Sequence, residues 1–252
     1  MFPNELRTIY NIRYRAPFSG TSYNSAVEKD IFVITKLLTV TAPRNICDLC
    51  CGLGMHIIKL AEIPGYCVVG VDYSSVAFER YHAAYGHSLN PTYICKSVGD
   101  YAVANSEYFD AVLCYLPHID SVFDEETKHI LSASYRLCKK GGIVIMSFLC
   151  ADYASQMTGK TTVCYDQQSS ISISSLVTFC SSNNHLCIKQ TSEAWEGVIC
   201  EEMYLYTIAE IMQRLYETGF KSVVSLDTKN DFKDIAAFQR DKECKATLIC
   251  QK

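Results

Sequence analysis

The sequence predicts an α/β chain built on a mostly parallel sheet with helices on both faces. Three observations carry this. An apolar strand, Asn45-Ile46-Cys47-Asp48-Leu49, runs into Cys50-Cys51-Gly52-Leu53-Gly54 and then into a helical pattern. That order brings backbone N–H groups and a helix N-terminus close to a ligand. Eighteen residues past Gly54, a second apolar strand, Cys67-Val68-Val69-Gly70-Val71, ends in Asp72, where a carboxylate can accept from both hydroxyls of a ribose. From there strand and helix patterns alternate as far as Phe148, as expected for a parallel sheet covered on both faces.

Each element follows from its local pattern. Residues 1–40 read as a helical N-terminal segment. Val27, Ile31, Ile34, Leu37 and Leu38 share one helix face, and Pro43 stops the helix before the first strand. Ahead of it lies a piece rich in tyrosine and arginine, with Tyr10, Arg13, Tyr14, Arg15 and Tyr23. Further helices are expected from Met55 to Glu62, Ser75 to Tyr85 and Asp124 to Cys138. The last of these starts on Asp124-Glu125-Glu126 and ends near Arg136, Lys139 and Lys140, charges that suit the helix dipole. After Phe148 the pattern changes. Residues 161–206 are rich in Ser, Thr, Val, Ile and Tyr in period-two runs, with Ser181-Ser182-Asn183-Asn184 as a turn. This predicts an antiparallel insertion of three or four strands ahead of the last helix, within one domain spanning 1–252.

Composition narrows the function. The 252 residues are 49% hydrophobic, enough for a sizeable core, and carry a net charge of −4. That balance, with no run of basic residues, argues against a nucleic acid partner. Apolar stretches are of strand length, so no membrane span is expected, and the first residues lack a signal-peptide layout. Fourteen cysteines are scattered, many inside apolar strands, where cysteine acts as a small hydrophobe. A reducing cytoplasm is the expected location. Cys47-x-x-Cys50 has a metal or redox spacing. However, Cys47 lies within a strand and no second pair accompanies it, so no metal site is expected.

The glycine turn separates two classes of cofactor. A dinucleotide fingerprint needs a small residue at position 57, and Ile57 stands there. Asp48, Cys51, Gly52 and Gly54 instead match D-x-x-C-G-x-G, and the chain resembles the class I S-adenosylmethionine-dependent methyltransferases. Four further stretches resemble the family in order. They are Ser97-Val98-Gly99-Asp100-Tyr101 as the loop after the third strand, Phe109-Asp110-Ala111-Val112 in the fourth, Leu137-Cys138-Lys139-Lys140-Gly141-Gly142 before the fifth, and the closing helix from Tyr206 to Gly219-Phe220. Lys140 stands where the family usually has proline. The resemblance covers roughly residues 45–150 and 203–252. It implies a Rossmann-like, doubly wound, mostly parallel seven-stranded sheet, with residues 1–40 as a helical lid and 161–206 as a β insertion.

The resemblance also implies a site. S-adenosyl-L-methionine would be held by Asp48, Cys50, Cys51, Gly52 and Gly54, by Asp72 and Tyr73, by Asp100 and Tyr101, and by Cys114 and Tyr115, all at the carboxyl ends of strands. Asp72 reads either as the ribose ligand or as an acid at a helix N-terminus. Asp100 reads as an adenine contact or as a turn residue. His118, just past the fourth strand, is the candidate catalytic base and an acceptor contact, with a plain loop histidine as the other reading. Tyr14, Tyr23 and Trp195, the sole tryptophan, are candidate acceptor contacts, although a lone tryptophan also serves packing. Tyr115-Leu116-Pro117 departs from the [D/N]-P-P-[Y/F] signature of methyltransferases acting on amines of nucleic acid bases, which favours a free small molecule. Gly54-Met55-His56 resembles members that methylate amino sugars; His56 itself reads as a packing or capping residue. The expected activity is methyl transfer to a nitrogen or oxygen of a small molecule. The insertion would cover the acceptor or pair two subunits as a homodimer. Two rivals are a catalytically silent methyltransferase-like subunit and an NAD-dependent oxidoreductase, the latter disfavoured by Ile57.

Overall fold

The structure, a computed structural model, describes residues 21–39, 42–115, 124–166, 171–193, 198–226 and 245–252. Helix α1 (Thr21–Leu38) leads to β1 (Asn45–Leu49), α2 (Met55–Ala61), β2 (Cys67–Asp72), α3 (Ser75–Tyr85) and β3 (Thr92–Cys95). Then come α4 (Val98–Ala104), β4 (Phe109–Tyr115), α5 (Asp124–Leu137) and β5 (Cys138–Leu149). A short helix α6 (Ala151–Ala154) opens the insertion, whose strands are β6 (Thr161–Asp166), β7 (Ile171–Cys180), β8 (His185–Ser192) and β9 (Ile199–Tyr204). The chain closes with α7 (Ile208–Thr218), β10 (Ser222–Ser225) and β11 (Lys245–Gln251).

The main sheet has seven strands in the order β10-β11-β5-β4-β1-β2-β3. All are parallel except β11, which runs against β5 and β10. Strand order reverses at β1, which pairs with β2 on one side and β4 on the other. Ligands of doubly wound sheets bind in the crevice at such a switch point. Alternation sorts the side chains. Cys47, Leu49, Val112, Cys114 and Met146 join a core with Leu131 of α5 and Leu215 of α7. Ile46, Ala111, Leu113 and Ile145 join the opposite core with Ile34 and Leu38 of α1 and Ile57 and Leu60 of α2. Buried cysteines such as Cys47 and Cys114 thus serve as small apolar residues, as their strand positions suggest.

Expected helices appear within a residue or two of their predicted ends. Helix α1 starts earlier than its apolar pattern. It is anchored in the core through Val33, Ile34, Leu37 and Leu38, while residues 1–20 of the expected lid lie outside the described residues. One expectation is corrected. The stretch after β3, read as a loop, is the start of helix α4: the Ser97 hydroxyl accepts from the Asp100 N–H at 3.1 Å and caps it. Gly99 and the β-branched Val98 and Val103 weaken the helical signal there.

Two family-like motif residues turn out to build the scaffold. The Asp110 carboxylate accepts from the Arg44 and Asn45 N–H groups and pairs with Lys139 at 2.9 Å. It therefore fixes the entry of β1 beside β4, and those donors outweigh partial burial to hold its carboxyl below the usual range. Gly219, with φ +114, ends α7. The insertion is a separate antiparallel sheet in the order β6-β7-β8-β9. Val177, Phe179, Leu186 and Met203 pack on Leu149, Ala151, Ala154 and Leu205, whereas Leu176, Thr178, Lys189 and Glu202 face outward. Period-two patterning explains this split. Thr207 and Glu210 form a capping box that restarts helix at α7.

Candidate active site

At the end of β1 the chain turns through left-handed conformations at Cys50, Gly52 and Gly54, with φ values of 57°, 55° and 76°. Gly54 also has no room for a side chain: an added Cβ would lie 2.5 Å from Cδ2 of Tyr81. Gly52 is held on both sides. Its N–H donates to Asp72 Oδ2 at 2.8 Å, and its carbonyl accepts from the Tyr93 hydroxyl at 2.6 Å. The other Asp72 oxygen accepts from the Ser74 N–H at 2.8 Å, and Ser74 caps α3 through the Ala77 N–H. Asp72 therefore ties the glycine loop to the start of the next helix. Burial pushes its carboxyl up, opposed by backbone donors from Ser74, Gly52 and Tyr73. Each carboxylate oxygen has a second lone pair, so this organising role leaves capacity for ribose hydroxyls.

The dinucleotide alternative fails on packing as well as on spacing. Ile57 fills the space over Gly70 of β2, where an added Cβ would lie 2.7 Å from Ile57 Cδ1 and 2.8 Å from Cys51 Sγ. A dinucleotide fold gains close helix–strand approach from a glycine on the helix. Here the glycine is on the strand, and the helix contributes a branched side chain.

Beside the loop lies a buried acidic network. Asp48 of β1 and Asp30 of α1 are both buried. His56 of α2 stands between them, with Nε2 3.3 Å from Asp30 Oδ2 and Nδ1 3.9 Å from Asp48 Oδ2. Lys245 of β11 approaches Asp30 Oδ1 at 3.6 Å, and the His56 ring meets Tyr115 edge to face at 5.6 Å. Both imidazole nitrogens thus face carboxylates, so His56 orients acids rather than filling space. Asp48 Oδ2 is buried without a hydrogen-bond partner among the described residues. Burial pushes the Asp48 carboxyl up to about 7, with His56 opposing and Asp72 and Asp30 reinforcing the rise. A buried, underfilled acceptor at a switch point is suited to a cationic or hydrogen-bonding ligand group.

The other expected site residues divide. Cys51 and Tyr115 are buried beside the loop and network, and Cys50 and Tyr73 are partly exposed at the strand ends. Cys114 projects into the core on the opposite sheet face, which leaves its backbone at the crevice. Asp100 is exposed and accepts a 2.7 Å hydrogen bond from the Ser97 hydroxyl, while Tyr101 packs near Phe109 with ring centroids 6.4 Å apart. Burial pushes the Tyr101 hydroxyl up to about 12. Tyr23 lies in the first turn of α1. Tyr14, His118 and Trp195 lie outside the described residues. Sequence reasoning missed Asp30 and Tyr93 and undervalued His56. Asp30 carried one signal: an acid three residues from Val27 and Val33, on the apolar face of its helix. Tyr93 carried none, because an aromatic in a strand reads as core.

Residues 46–142 match the profile of a family described as a methyltransferase domain. Among solved structures, the chain resembles an S-adenosylmethionine-dependent methyltransferase from Clostridium acetobutylicum ATCC 824, with TM-score 0.63, 15% identity and 98% of each chain covered. It resembles the sugar N-methyltransferase KedS8 from Streptoalloteichus sp ATCC 53650, with TM-score 0.65, 13% identity, and 94% of this chain and 95% of that one covered. It also resembles CalS10, an amino pentose methyltransferase from Micromonospora echinaspora solved with its methyl donor, with TM-score 0.63, 10% identity, and 92% and 97% covered. No curated protein matches it in sequence. Over residues 46–142 the chain carries a methyltransferase domain, on the fold of the class I S-adenosylmethionine-dependent methyltransferases.

Proposed function

We propose that this chain catalyses transfer of the S-adenosylmethionine methyl group to a small molecule, with an amine nitrogen, as on an amino sugar, as the first acceptor class to test. The observation that carries the cofactor reading is Gly52, clamped at its N–H and its carbonyl beside Asp72, next to the buried acceptor of Asp48. The residues fit the donor. Asp72 suits the ribose, and the glycine turn, with no room for a Cβ at Gly54, allows close backbone approach. When bound, S-adenosylmethionine supplies an activated methyl group. The protein's part is then to align the acceptor and take up its proton. His118 is proposed for the second task, and Tyr14, Tyr23 and Trp195 for acceptor contact.

A small acceptor is supported by the net charge of −4 and by the departure of Tyr115-Leu116-Pro117 from the nucleic acid signature. Nitrogen is supported by the similarity to KedS8, a sugar N-methyltransferase, and an amino sugar by the similarity to CalS10, an amino pentose methyltransferase. The insertion, packed against the carboxyl end of β5 through Leu149, is proposed to cover the acceptor or to pair subunits. No helix among the described residues is long and apolar enough to cross a membrane, and a reducing cytoplasm suits the free thiols.

Thermal shift with S-adenosylmethionine and with NAD tests the cofactor. Labelled methyl transfer to a panel of amino sugars and their hydroxyl counterparts tests the acceptor. A shift with NAD alone would overturn the first reading. Transfer confined to hydroxyls would overturn the preference for nitrogen.

A further inference from the structure

We infer that Tyr93, on β3, is a positioning residue for the cofactor loop, an inference that rests on that loop being the S-adenosylmethionine site. The loop follows β1, and β2 lies between β1 and β3. For a β3 side chain to reach it, the side chain must cross β2. The register partner of Tyr93 on β2 is Gly70, and the space over Gly70 is filled by Ile57 and Cys51. The Tyr93 hydroxyl then donates to the Gly52 carbonyl at 2.6 Å in a buried setting. Its ring is held by neighbours on α3, with centroids 4.9 Å from Tyr81 and 5.5 Å from Phe78. Tyr81 in turn occupies the space beside Gly54.

The consequence is a directional constraint. Asp72 pulls on the N–H of Gly52 from β2 and Tyr93 pulls on its carbonyl from β3. Together they fix the two peptide planes that flank Gly52, that of its N–H and that of its carbonyl, in a turn with left-handed residues on both sides. The peptides flanking a glycine without such anchors have several accessible orientations, and a ligand would have to select one at a cost in affinity. Tyr93 removes that cost in advance without touching the ligand.

Tyr93→Phe keeps the ring and deletes the donor. Titration calorimetry should show S-adenosylmethionine and S-adenosylhomocysteine binding weakened about five- to tenfold, the scale of one neutral hydrogen bond. The ¹³C resonance of the Gly52 carbonyl should move in the unliganded variant. Tyr216→Phe removes a comparable tyrosine–carbonyl bond, to Val223, away from the site, and should change neither reading. Undiminished affinity in Tyr93→Phe, whatever its melting temperature, would overturn the proposal, as would an unmoved Gly52 carbonyl. If the unaltered protein does not bind S-adenosylmethionine, the functional reading fails, while the carbonyl resonance still decides whether the clamp exists. Should the variant not fold, hydrogen exchange in the unaltered protein decides. Slow exchange of the Tyr93 hydroxyl proton before ligand is added supports the bond to Gly52, and free exchange there refutes it.

Discussion

Replacing Asp48 by asparagine should make the protein more stable at neutral and alkaline pH while weakening its hold on the methyl donor. The carboxyl is buried and pushed up from 3.8 to about 7, first by desolvation, with Asp72 and Asp30 adding to the rise and His56 opposing it. Between about pH 4 and 7 the folded protein therefore keeps a proton at Asp48 that the unfolded chain has released. Stability falls as pH rises through that window and levels off above it. A rise of about three pH units, at 1.36 kcal/mol each, sets an upper limit of about 4 kcal/mol. Asparagine does not titrate, so the stability of Asp48→Asn minus that of the unaltered protein should climb between pH 4 and 7, by at most about 1.4 kcal/mol per unit. Urea unfolding at pH 5, 6, 7 and 8 would show this as a midpoint difference growing to about 1–2 M. Asp72, Asp30 and His56 interact with Asp48, so the difference reports Asp48 together with its coupling to them. A difference that stays flat with pH, or reverses sign, would refute the assignment of a charged-state penalty to Asp48. Calorimetry with S-adenosylmethionine completes the argument, because a group kept at such a cost should serve binding.

Three further outcomes are expected. Asp72→Ala should weaken S-adenosylmethionine binding by roughly 1–3 kcal/mol, the scale of hydrogen bonds to a charged group; an unchanged dissociation constant would remove Asp72 from the site. Cys50→Gly should raise the melting temperature by about 1–2 °C, since relief of roughly 1 kcal/mol of left-handed strain exceeds the added entropy of the unfolded chain; a fall of several degrees would show that thiol packing outweighs strain. His118→Asn should slow single-turnover methyl transfer by about 10²–10⁴ with cofactor affinity kept, and an unaltered rate and pH profile would leave it a loop residue.

The scaffold was readable because its signals are local and redundant. Period-two runs bounded by Ser181-Ser182-Asn183-Asn184 announced the insertion, and glycine, acid and strand in order announced the crevice. Helix α4 was hidden because Gly99 and valines dilute its pattern, although Ser97 and Asp100 have capping spacing. The site was less readable for a physical reason. Asp30, His56 and Asp48 belong to α1, α2 and β1 and meet only once the sheet is assembled. Tyr93 acts over 41 positions of sequence through one hydroxyl. Neither relation has a period or a spacing to detect.

Those distant contacts also explain how the loop tolerates departures from the simplest glycine pattern. Cys50 occupies a left-handed position that glycine would fill without strain, and position 57 holds isoleucine. A loop that relied on glycine alone for its path would be poorly defined, because glycine permits many paths. Here the path is imposed from outside, by Asp72 on β2 and Tyr93 on β3, and Tyr81 closes over Gly54. Close approach of helix to strand is supplied by Gly70 in the strand. The specification of the cofactor loop is thus spread over three strands and two helices. A change at Gly70 or Tyr93 should therefore reach cofactor affinity as surely as a change within the glycine turn itself.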